Sequence, residues 1–148
     1  MECQSRKLHS RGGLEHLPKC ISLVAEAARH AGLSRGQRDA LEAATREAYL
    51  AIVEATQGDS HRGPIEAEVG WDNRAVTVRL THGGRALDSL FDRALPDPRV
   101  EAMRRALDEV GYTRGTRHGH QLWLRMRAAE ARRNPRLRAA AVRQAAGR

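Results

Sequence analysis

From Pro64 to Leu80 the apolar residues recur at every second position, and this stretch limits the fold more than any other. Ile65, Ala67 and Val69 share one face of a strand, with Glu66 and Glu68 on the other. Asp72-Asn73-Arg74 then supplies a turn, and Val76, Val78 and Leu80 return as a second strand. A hairpin with one apolar face must bury that face against something, and here long helical patterns flank it.

Before the hairpin, Leu17-Pro18 opens a helix whose Ile21, Val24, Ala25 and Ala28 form one stripe, and Gly32 suits its C-terminal cap. Ser34 with Gln37 makes a capping box for a second helix, predicted from about Arg35 to Thr56 and ending at Gly58-Asp59-Ser60. Its buried face is expected to hold Leu41, Ala44, Ala48, Ile52 and Ala55, widened by Tyr49 and Val53. After His82-Gly83-Gly84 come a short helical stretch, Leu87 to Leu95, and a helix capped by Asp97 with Pro98 at its first position. Val100, Met103, Ala106, Leu107 and Val110 keep helical spacing up to Gly111. Tyr112 to Arg114 and Gln121 to Met126 read as a last hairpin turning around Gly115 to Gly119. The expected fold is α+β: a two-layer sandwich of a mainly antiparallel, mixed sheet with helices on one face.

Three segments follow: residues 1–13 as an arm or short edge strand, 14–126 as the domain, and 127–148 as a basic tail, helical by propensity and interrupted at Asn134-Pro135. The tail holds seven arginines against Glu130, a net +6 of the chain's +8. It reads as a solvated extension, with phosphate-backbone binding as the competing use. Cys3 and Cys20 form no C-x-x-C pair, which argues against a zinc site or a disulfide framework. No apolar run reaches the roughly 20 residues of a membrane span, and no apolar h-region follows Arg6 and Lys7. The expected location is the cytoplasm.

Within this order, "LEHLPKCISLVAEAARHAGLSRGQRDALEAATREAYLAIVEA", "VTVRLTHGG" and "EAMRRALDEVGYTRGTRHGHQLWLRMR" carry a resemblance. Leu14 to Arg125 resembles the anti-sigma-factor serine-protein kinases of bacterial partner-switching systems. These belong to the histidine-kinase-like (GHKL, Bergerat-type) ATPases. The resemblance implies that fold, with ATP and Mg²⁺ as cofactors and a sigma factor or a STAS-type anti-sigma antagonist as partner.

It also implies three site regions, and the chain departs from each. The family's Glu-x-x-x-Asn box pairs a general base with a Mg²⁺ ligand one helical turn on. Glu47 matches the base, but Ala51 replaces the ligand, and a methyl group offers Mg²⁺ no oxygen. In the family's Asp-x-Gly-x-Gly the Asp reads adenine. Aligning on Gly83 puts Thr81 there, aligning on Gly84 puts His82 there, and neither is a carboxylate. The family's Gly-x-Gly-Leu phosphate turn corresponds to "LPDPRVEAM", which lacks glycine and where Pro98 removes a donor.

The implied reading is a degenerate member that binds protein, with no bound cofactor, no membrane association and a homodimer as one assembly it could form. An active serine kinase with an atypical site, using ATP and Mg²⁺, is the alternative. Nucleic-acid binding through the tail is the third. Glu47 is weighed against an ordinary surface helix residue, and His118 with His120 as a metal pair against a polar turn. His82-Gly83-Gly84 is no P-loop, since no Gly-Lys-Ser/Thr follows. Five scattered aromatic residues make no stacking platform.

Overall fold

A computed structural model describes residues 3–56, 64–116 and 119–129 of the chain. The expected helix end at 58–60, His118 of the histidine pair, and the tail from residue 130 with its Asn134-Pro135 break lie outside these residues.

Among the described residues five strands form one sheet in the order β1-β2-β3-β5-β4: β1 Gln4–Ser10, β2 Ile65–Trp71, β3 Ala75–His82, β4 Glu109–Thr116 and β5 Gly119–Arg127. All four ladders are antiparallel, so the sheet is wholly antiparallel rather than mixed. The N-terminal segment takes the edge-strand option, pairing Leu8 with Ala67 of β2. The helices are α1 Leu17–His30, α2 Arg35–Thr56 and α3 Pro98–Ala106. Helix α1 packs over β2 and β3, α2 over β3 and β5, and α3 lies against α2 and β4.

The period-2 pattern sorts the sheet into two faces. Val69, Val78 and Leu124 lie side by side beneath the helices, as do Ala67, Leu80 and Leu122. The opposite face carries a row of paired charges, Lys7, Glu68 and Arg79, with Trp123 beyond them. An antiparallel sheet can leave one face solvated in this way, and its surface pairs are each worth under about 1 kcal/mol.

The local signals explain the joints. Gly32 sits at φ +74° while the Leu33 N–H reaches back to the Ala28 carbonyl, closing α1. Ser34 and Gln37 exchange the two bonds of a capping box. Gln37 then ties α2 to the end of the sheet: its amide donates to the Arg127 carbonyl at 2.6 Å, and its Oε1 accepts from the Ala129 N–H at 3.0 Å. At the β2–β3 turn Asp72 accepts from the N–H groups of Arg74 and Ala75.

Three further expectations need correction. The buried stripe of α1 is Cys20, Val24, Ala27 and Ala28, a step away from Ile21 and Ala25, which are half-buried. Only Asp88–Phe91 of the stretch from Leu87 to Leu95 is helical, as a single 3₁₀ turn. Helix α3 stops at Ala106, so Val110 and Gly111 belong to β4. Gly111 is needed there because a Cβ would stand 2.0 Å from the Trp123 ring on β5. Its job is to accept the indole across the ladder, not to end a helix.

Candidate functional site

The regions singled out in the sequence fall in two places: Glu47 and Pro98 line one cleft between α2 and α3, whereas Thr81, His82, Gly83 and Gly84 lie at the end of β3 with partners on β4 and β5. Glu47 and Ala51 stand one turn apart on α2, Glu47 exposed and Ala51 only 6% exposed. Glu47 borders an apolar cleft of about 390 Å³ between α2 and α3. Ala40, Ala43 and Ala44 form its α2 wall, and Ala102, Met103 and Ala106 its α3 wall. Small side chains at helical spacing on both elements leave a channel where larger ones would close it. Pro98 and Arg99 lie at one end, where Arg99 bonds Glu54 of α2 at 2.9 Å. Among the described residues Glu47 has no hydrogen-bond or ion-pair partner.

The α3 N-terminus carries its own anion. Asp97 accepts the Arg99 N–H at 2.8 Å, and Pro98 at the first position has no N–H to give. A helix start that would attract a phosphate is thereby occupied by a carboxylate and repels a second negative charge.

At the end of β3 the alternation separates the two register options. Thr81 sits half-buried on the solvated face, 3.4 Å from the Gln121 amide nitrogen. His82 points under the helices at 1% exposure. Its Nδ1 lies 2.9 Å from the Gly83 carbonyl oxygen, which can only accept, so Nδ1 carries the proton. Nε2 is then the acceptor for the Tyr112 hydroxyl at 3.3 Å, and that hydroxyl itself receives the Leu87 N–H at 2.8 Å. Burial pushes the His82 pKa below the ordinary histidine value; the Gly83 carbonyl opposes this, and His120 adds to it. The imidazole is neutral and committed.

His120, opposite His82 in the β3–β5 ladder, completes the cluster. Its Nδ1 accepts the Gly115 N–H at 3.0 Å and its Nε2 faces the Gly84 carbonyl at 3.2 Å. Both ring nitrogens therefore hold backbone, one on the hairpin and one on the loop after β3. Gly84 takes φ +77°, which starts that loop back toward β4, while Gly83 keeps an ordinary φ and has open space around it. Phe91 stacks on Tyr112 with ring centroids 5.0 Å apart, and Arg114 pairs with Asp88 at 3.5 Å.

Tyr112, Leu87 and Phe91 were read in the sequence as strand, helix and scattered aromatic positions, not as site residues. Inward alternation from Leu80 to His82 was the available signal for His82 itself. Among the described residues no cluster of three metal-ligating side chains exists. Cys20 is buried with its thiol pushed up to about 11 by burial, so it is no nucleophile.

The family model for the histidine kinase-like ATPase domain matches residues 12–127. The chain belongs to that family. A search of curated proteins found no match. The matched span runs from just after β1 to the end of β5, so the histidine kinase-like ATPase domain takes in α2, α3 and all three site regions. No helix among the described residues is long and apolar enough to cross a membrane.

Proposed function

We propose that this histidine kinase-like ATPase domain works by binding protein, as a cytoplasmic anti-sigma-type regulator of a bacterial partner-switching system, with its nucleotide site lost. The partner class is a sigma factor or a STAS-type antagonist, with a homodimer as one assembly open to it. The observation that carries this reading is the α3 N-terminus, where the Asp97 carboxylate caps the helix and Pro98 offers no donor. Ala51 in place of a Mg²⁺ ligand supports it, since Mg²⁺ requires oxygen. So does His82, whose only acceptor nitrogen already takes the Tyr112 hydroxyl.

A ligand that binds only the folded state must raise the melting temperature as its concentration rises. We therefore expect a melting curve that does not move with ATP–Mg²⁺ up to millimolar concentration. A midpoint climbing with ATP would overturn the proposal and favour the serine-kinase reading. One observation speaks for that second reading: Glu47 is exposed beside a cleft, where a general base could meet a hydroxyl.

A further inference from the structure

The two edges of the sheet are finished differently. Strand β4 forms one edge with a register shift between Thr113 and Thr116, and the 3₁₀ turn Asp88–Phe91 and α3 pack against it. Strand β1 forms the other and has no such protection. Its seven residues pair with β2 without a break, and it contains no proline. Among the described residues no strand lies on its far side, and its outward N–H and C=O groups have no backbone partner. An unbroken edge of this kind is a template for one more strand, and charge decides which strand can use it.

Here the charge is of one sign. Gln4 to Ser10 holds Arg6 and Lys7 and no acidic residue. On the solvated face the register runs Arg79, Glu68, Lys7 across three strands, with Glu68 3.4 Å from Arg79 and 3.5 Å from Lys7. The sign alternates along this row, so a negative side chain is what the next strand must bring beside Lys7. On the helix face a groove of about 450 Å³ lies between β1 and α1, lined by the apolar Leu8, Pro18 and Leu23. Arg6 and Lys19 border it against one acid, Glu26. Arg6 reaches Glu26 at 3.8 Å, and Lys19 has no ion pair among the described residues. We propose that the outer edge of β1 docks an extended acidic segment of a partner protein, which joins the sheet with carboxylates on the row of Lys7 and apolar side chains over Leu8 and Leu23. Side chains alternate along a strand, so one acidic-apolar sequence serves both faces. A second copy does not fit the edge, because β1 paired with another β1 has no acid to set against Arg6 or Lys7. This surface is separate from the α2–α3 cleft, and the proposal stands whether or not the nucleotide site is lost.

The test uses the full chain and a capped peptide of the length of β1 that alternates glutamate and valine, read by hydrogen exchange of the β1 amides. At saturation the outward amides of Gln4 to Ser10 should exchange at least about tenfold more slowly, because a paired amide exchanges only when the pair opens. The same peptide with lysine for glutamate should protect none of them. Lys7→Gln, at an exposed position, should weaken the glutamate peptide by about two- to fivefold. Equal protection by the two peptides would overturn the proposal, as would an affinity that Lys7→Gln leaves unchanged. No protection at millimolar peptide, or protection confined to the α2–α3 cleft, would overturn it as well. Protection of β1 that grows with protein concentration in the absence of peptide would give the edge to a second copy and refute the acidic partner. The glutamate–valine peptide N-methylated throughout cannot pair through its backbone. It should leave β1 unprotected, and protection by it would rule out strand addition.

Discussion

The α2–α3 cleft and the cluster at the end of β3 differ in how they treat polar groups. Around β3 every ring nitrogen of His82 and His120 has a partner, and each partner lies on a neighbouring loop or strand. In the cleft the walls are apolar and Glu47 stands without a partner among the described residues. A satisfied buried polar network holds structure together, and an unpartnered charge at an open apolar surface is available to something else. The difference is one of closure: the polar groups at the β3 end are used up within the fold, and the carboxylate of the cleft is not.

Substituting His82 gives the largest expected effect. His82→Ala removes a ring at 1% exposure and strands the Gly83 carbonyl and the Tyr112 hydroxyl together. The loss should be about 2–4 kcal/mol in urea unfolding, since a cavity and orphaned polar groups act at once. Ala43→Arg, in the wall of the cleft, should change stability by no more than about 0.5 kcal/mol. Equal costs for the two substitutions would erase the difference.

Acid should sharpen the same contrast. The folded pKa of His82 is held below its ordinary value, so the unfolded chain binds the proton more tightly. The contribution of His82 is then complete above about pH 6.5, the unperturbed value, and is lost as pH falls toward the folded one. The groups facing it are His120 and Tyr112. We expect a urea midpoint lower at about pH 5.5 than at about pH 7.5, and a smaller difference in His82→Gln. An unchanged pH dependence in the variant would assign the effect to other groups.

How much of this was legible beforehand follows from the range of each interaction. The capping box at Ser34 and Gln37, the Asx turn at Asp72 and the cap at Asp97 were readable because each is made by residues within three positions. The end of α3 was misread because Leu107 and Val110 continue helical spacing by coincidence. What makes them a loop and a strand is the pairing of Val110 with Leu124 and the Trp123 ring over Gly111. Those contacts join residues far apart in the chain, and no local pattern announces them. At the site, the replacements Ala51 and Pro98 were visible as residues, whereas the occupation of His82 by Tyr112 and of the α3 start by its own carboxylate needed coordinates.

The smallest expected effect is the most informative about chemistry. Glu47→Gln keeps the side chain's size and removes its basicity at an exposed position. In a silent binding module, stability should stay within about 0.5 kcal/mol and a co-purified partner should carry no new phosphate with either version. In a kinase the same change would remove the group that takes the hydroxyl proton, a loss of about 10²–10⁴ in rate. The measurement is phosphate transfer from labelled ATP to the partner, wild type beside Glu47→Gln. Transfer that collapses in the variant would refute the silent reading and make the cleft a catalytic surface. Transfer that the substitution leaves untouched would point to a contaminating kinase, since among the described residues no other carboxylate lines the cleft beside α3. We expect transfer in neither, which would leave Glu47 a recognition charge at the edge of an apolar groove.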